Sequence, residues 1–194
     1  LYFVIKNHPL ADGNKRTGFM LGAAFCDASR HFMRATAFRE PALLRAKSLC
    51  TERLVRARAL QREGSALTAL EEASGGMSMA PLSGRAEAFE EVVRIYGGLA
   101  SKPALPEEAR RGAVLGEAEM DAKCYWKALG GYRAALAVAP WWPQGHYNLA
   151  MLHAEMKEFA EAATCMHRYL ALQPDAPDAR AARDHIYLWE GKQK

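Results

Sequence analysis

The chain has 194 residues, 50% hydrophobic and 25% charged, with a formal net charge of +4 and four cysteines. That length admits one ordinary domain or two small ones, and so mild a charge does not by itself argue for a nucleic-acid partner. No apolar stretch approaches the roughly 20 residues of a membrane-spanning helix. Cys26, Cys50, Cys124 and Cys165 fall at no metal or redox spacing and read as small buried hydrophobes of a reducing compartment, the cytoplasm.

In chain order, Leu1-Tyr2-Phe3-Val4-Ile5 reads as the end of a helix, and Phe19-Met20-Leu21 with Ala23, Ala24 and Phe25 as the next one. Between them lies His8-Pro9-Leu10-Ala11-Asp12-Gly13-Asn14-Lys15-Arg16-Thr17-Gly18. A turn at a helix start offers unpaired N–H groups and the positive end of the helix dipole, which favour an anion, and a positioned histidine is the usual proton acceptor. This loop resembles the signature of the Fic/Doc family, whose members transfer AMP or phosphate from a nucleotide to a protein hydroxyl.

The resemblance implies His8 as general base, Asp12 as the Mg²⁺ holder, Gly13 and Asn14 as backbone phosphate donors, and Arg16 as a phosphate ligand, with Mg²⁺ and ATP as cofactors. Lys15 stands where AMP-transferring members carry glycine, which is similar to the death-on-curing branch and its phosphoryl transfer. Leu10 replaces the family's phenylalanine, and no second arginine follows Arg16 at the family's distance. Only Leu1 to Asn7 precede the histidine and the chain opens on leucine. We therefore expect residues 1–38 to be a partial motif, from a longer protein or a join of coding pieces, and the chain to be non-catalytic as it stands.

Residues 39–84 divide into a basic helix and a linker. Arg39 to Glu63 sets Leu43, Leu44, Leu49, Leu54, Val55 and Leu60 among Arg45, Lys47, Arg53, Arg56, Arg58 and Arg62, the pattern of an amphipathic helix. No aromatic side chains interleave, so a solvated arginine face is favoured over a nucleic-acid contact. Gly75-Gly76-Met77-Ser78-Met79-Ala80-Pro81-Leu82-Ser83-Gly84 has the composition of a linker. Arg85 to Gly97 is expected as a helix with Phe89, Val92, Val93 and Tyr96 inward and Glu87, Glu90 and Glu91 toward water.

From Ala109 a pattern is written twice. Gly112, Leu115, Gly116, Tyr125, Ala128, Tyr132, Ala135 and Pro140 are matched by His146, Leu149, Ala150, Phe159, Ala162, Met166, Tyr169 and Pro174, with a period of about 34 residues. Each copy predicts two short helices whose small residues, Gly116 with Ala128 and Ala150 with Ala162, allow a close crossing. Proline ends the second helix, and Asp175-Ala176-Pro177-Asp178 restarts a capping helix over 177–190. At these residues the chain resembles tetratricopeptide repeats (TPR), with repeats at 109–142 and 143–176 inside a domain at 85–194. Gly112 and His146 stand where the family often has tryptophan, and Tyr169 replaces a small residue.

The expectation is an all-α fold, an antiparallel helix-pair solenoid of TPR type preceded by a Fic/Doc-like helical fragment. Register with the family implies groove positions Ala113, Glu117, Met120 and Asp121 in the first copy and Tyr147, Met151, Ala154 and Glu155 in the second. That mixture of acidic and apolar groups implies a basic or amphipathic peptide or helix as protein partner, without a cofactor. His146 and His153 share a helix with no ligand set to complete a metal site, and Trp141-Trp142 reads as packing at the inter-repeat turn. Two repeats are fewer than the three or so that are usually stable, so the helix at 85–97 and the capping helix must supply burial, or two chains must pair. The alternative function is a Fic/Doc-type transferase that uses the repeats to recruit its target or for regulation.

Overall fold

Helix-forming runs separated by short breaks account for nearly all of the backbone in the computed structural model, which describes residues 41–192. Helix α1 occupies 41–62. It is followed by α2 (Ala66–Met79), a 3-10 turn (Leu82–Gly84), α3 (Arg85–Gly97), α4 (Glu107–Asp121), α5 (Tyr125–Val138), α6 (Pro143–Glu155), α7 (Phe159–Leu172) and α8 (Ala179–Gly191). Among the described residues there is no strand, and the fold is all-α as the sequence implies. A division of the chain falls after Arg45, and Ala46 onward forms its own compact unit.

The backbone repeats as the sequence does. After α4, Lys123 adopts φ 57° and the Cys124 N–H donates back to the Glu119 carbonyl at 2.8 Å. After α6, Lys157 adopts φ 63° and the Glu158 N–H donates to the His153 carbonyl at 2.9 Å. Both are left-handed helix ends in which one wide hydrogen bond reclaims an orphan carbonyl. The turns are so short that α4 must fold back on α5, and α6 on α7, and both pairs are in extensive contact. The chain continues the stack through α5 on α6 and α7 on α8.

The first pair crosses with no side chain in the way. A Cβ on Gly131 would lie 2.7 Å from the Gly116 nitrogen and 2.8 Å from the Gly112 carbonyl oxygen, and one on Gly112 would lie 2.9 Å from the Ala135 nitrogen. Backbone therefore rests on backbone at this crossing. In the second pair Ala150 and Ala162 are fully buried and fill the equivalent role, with Met166, Leu152 and Cys165 packed around them. Tyr169 reaches forward as its unusual size implies. Its hydroxyl donates to the Asp178 carboxylate at the start of α8, and its ring meets Tyr147 edge-on at 5.3 Å. Asp178 thus opens α8 without capping it through its side chain, contrary to the sequence expectation, because Tyr169 holds the carboxylate.

The stretch read as a linker is corrected by the structure. Residues 66–79 are helical, with Ala69, Leu70, Ala73, Ser74 and Gly76 buried. Glycine there leaves room rather than breaking the helix: a Cβ on Gly76 would sit 3.4 Å from both Arg53 and Leu54 of α1. From this position α2 packs on α3 and on α5, where the Ser78 hydroxyl donates to the Ala137 carbonyl at 2.6 Å. Helix α3 packs on α7. The first core accordingly joins Cys50, Leu54 and Ala57 of α1 to Val92 and Ile95 of α3, and through them to Ala135, Ala139 and Leu172 of the repeats.

Glu91 is also corrected. It is 5% exposed and takes Arg58 of α1 at 3.3 Å together with Arg94. Burial pushes its carboxyl up, but the hydrogen bonds and charges of Arg94 and Arg58 outweigh this and hold it below the usual carboxylate value. The arginines of α1 meet carboxylates in the same way, Arg53 and Arg56 each reaching Glu72 of α2 at 3.7 Å.

Two adjacent glycines test the crossing. Gly130 has nothing within 4 Å of an added Cβ, so Gly130→Ala should gain roughly 0.5–1 kcal/mol from helix propensity alone. Gly131→Ala adds the same methyl against backbone and should lose about 1–3 kcal/mol in a urea melt. Equal effects of the two would contradict the close approach.

Candidate functional site

The inferred groove positions lie on the first helices of the pairs, α4 and α6, and those of α6 stand beside α8. On α4, Glu117 and Asp121 are exposed and Met120 is half-buried. Around the buried Tyr132 hydroxyl of α5 these carboxylates are near enough to be felt. Burial chiefly pushes its phenol up, and Glu117 and Asp121 add to the shift. On α6, Met151, Ala154 and Glu155 line a depression of about 370 Å³, closed on the far side by His185, Trp189 and Lys192. Lys192 lies 5.0 Å over the ring of Phe159, which also lines this depression.

The eight inferred groove positions are therefore placed unevenly. Met151, Ala154 and Glu155 come together with α8, while Tyr147 meets Tyr169 and is not among the residues that line the depression. Met120 packs against the second core. Ala113 packs instead against the first core, whereas the apolar positions from Met120 onward belong to the second. The sequence reading gave α8 only a capping role, so its contribution to this depression was missed. The structure buries Ala179, Ala182, Ile186 and Trp189, at the three- and four-residue spacing of a helix face, and leaves Tyr187 and Leu188 outward.

Both histidines of α6 are buried. His153 Nδ1–H donates to the Glu158 carboxylate at 2.6 Å. His146 Nε2 is 2.8 Å from the Pro140 carbonyl, which can only accept, so Nε2 carries the proton and Nδ1 is left as a bare acceptor. Its ring packs edge-on to Phe89 of α3 at 5.4 Å. Trp141 packs as expected, stacked on Tyr96 at 5.8 Å, and Trp142 covers Gly145. Among the described residues no cluster of three His, Cys, Asp or Glu side chains could hold a metal ion, and no helix is long and apolar enough to cross a membrane. Burial pushes the Cys165 thiol up to about 11 and raises that of Cys50, so neither is an ionised nucleophile near neutrality.

His8, Asp12, Gly13, Asn14, Lys15 and Arg16 lie outside the described residues. A family model, the Fic/DOC family, matches residues 1–26, the segment that contains all six. No curated protein matches the chain.

Burial lowers the His146 imidazole to about 4 from an ordinary 6.5, with Arg168 acting in the same direction against the Pro140 hydrogen bond. Above pH 6.5 the group is neutral folded or unfolded. As pH falls from 6.5 toward 4 the unfolded chain takes up a proton that the folded chain refuses, so stability is lost across that window, by about 3 kcal/mol in all. Denaturation of wild type and His146→Gln from pH 7 to 4 should show the steeper loss in wild type. Parallel curves would contradict a buried neutral imidazole.

Proposed function

We propose that the chain is a non-catalytic binding module. In this reading the two helix pairs and α8 form a capped TPR-type solenoid whose first-helix face takes a basic or amphipathic peptide or partner helix. One observation carries it. Helices α2 and α3 pack on the second helices α5 and α7, while α4 and α6 keep Glu117, Asp121 and Glu155 exposed beside the half-buried Met120, Tyr147, Met151 and Ala154. A cationic amphipathic helix complements such a surface, apolar side against the Met151 and Trp189 depression and charges against the carboxylates. The cytoplasmic setting expected for the free thiols is part of the same proposal.

A second reading is favoured by the Fic/DOC match at residues 1–26. There His8 is the general base, Asp12 holds Mg²⁺, and Gly13, Asn14, Lys15 and Arg16 hold the nucleotide phosphates, with the repeats recruiting the target. Incubation with labelled ATP and Mg²⁺ separates the readings: label transfer to protein that His8→Ala abolishes would establish the transferase, and none is expected from this chain.

For the module, a lysine-rich amphipathic helical peptide should bind in fluorescence anisotropy with salt-sensitive affinity. Glu117→Arg and Glu155→Arg should each weaken it by roughly three- to tenfold, mostly by slower association. Binding unchanged by both reversals would sink the proposal.

A further inference from the structure

One cavity of the described residues lies apart from the depression beside α8. It measures about 660 Å³ and opens between α2 and α3 on one side and α5, α6 and α7 on the other. Three guanidinium side chains line it, each from a different helix: Arg85 of α3, Arg133 of α5 and Arg168 of α7. Among the described residues none of the three has a carboxylate within ion-pair distance, although Arg53, Arg56, Arg58 and Arg94 nearby all do. Three like charges around one cavity repel one another, and the single carboxylate on its wall, Glu161, leaves an excess of positive charge.

The wall's hydroxyls do not offset this. Ser78 donates to the Ala137 carbonyl and Thr164 to the Ala160 carbonyl, so their protons are already used. Arg85 uses only Nε, toward the Ala80 carbonyl at 3.4 Å, which leaves its terminal N–H groups free to donate. Arg168 is held by the Phe89 ring, its guanidinium 5.3 Å from the centroid, so it is oriented before any ligand arrives. His146 on the same wall is 1% exposed, and its Nδ1 is buried with no hydrogen-bond partner among the described residues.

We propose that this cavity is a binding site for a small phosphate ester. Guanidinium pairs match phosphate oxygens in two-point hydrogen bonds, and three of them around one space suit the three oxygens of a phosphomonoester better than the two of a carboxylate. The volume lies in the range of small-molecule sites, and the walls come from five helices, which suits a small ligand in an open pocket rather than an extended chain. His146 contributes a neutral, nearly fully buried ring to this wall, so the contacts to the ligand come from the guanidinium groups. The site stands apart from the first-helix face and does not depend on the peptide-binding reading.

Titration calorimetry on the full chain with glycerol 3-phosphate, inorganic phosphate, sodium acetate and a phosphoserine peptide tests the assignment. Saturable binding of glycerol 3-phosphate is expected, at least tenfold tighter than acetate. Arg133→Gln and Arg85→Gln, both exposed and safe for folding, should each weaken it by about tenfold, while Arg110→Gln and Glu155→Arg should leave it unchanged. Shift of the His146 ring nitrogens in ¹⁵N NMR should accompany binding. No saturable phosphate binding, binding indifferent to Arg133→Gln and Arg85→Gln, or binding of the phosphopeptide in place of the small ester would overturn the proposal.

Discussion

The stacking of Trp141 on Tyr96 ties the early helices to the repeats. Trp141 sits in the turn after the first helix pair, and Tyr96 on the last turn of α3, so one contact fixes where α3 lies against the repeat stack. Once α3 is placed, Phe89 reaches His146 and Arg168, α2 reaches the Ala137 carbonyl, and the apolar side of α5 and α7 gains its cover. Lys102 reinforces the position from the other side, lying 4.4 Å over the Tyr96 ring and donating to the carbonyl at the end of α3. Two helix pairs bury too little surface to be stable alone, and α2, α3 and α8 supply the missing burial.

That arrangement divides the surface by chemistry. The second helices are occupied by α2 and α3, whose contact leaves a lined cavity with excess positive charge. The first helices keep exposed carboxylates and half-buried apolar residues, those of α6 beside α8. The proposed peptide face and the proposed anion cavity are lined by different residues, and the buried neutral His146 belongs to the wall of the second.

Legibility in the sequence follows the residues that repeat. The period of the two copies, the small residues at Gly116, Ala128, Ala150 and Ala162 and the ends at Pro140 and Pro174 were all visible, because each answers a local steric need written twice. Helix α2 was hidden because Gly75 and Gly76 count as breakers by composition, and their purpose, room for Arg53 and Leu54, depends on a helix some twenty residues earlier in the chain. Glu91 was hidden for the same reason: besides Arg94 on its own helix, it is Arg58 of α1, distant in the sequence, that meets the buried carboxylate. The arginine cavity has no sequence signature, since Arg85, Arg133 and Arg168 meet only through packing. Trp189 and Ile186 were legible by spacing, had the face through Ala179 and Ala182 been followed.

Native-state hydrogen exchange over the full chain tests most directly whether the early helices belong to the repeat fold. The amides of Ala66–Met79 and Arg85–Gly97 should open with free energies close to those of α5 and α7, as one cooperative unit. Exchange of residues 66–84 at the rate of an unstructured linker, with protection beginning only in the repeats, would contradict the account.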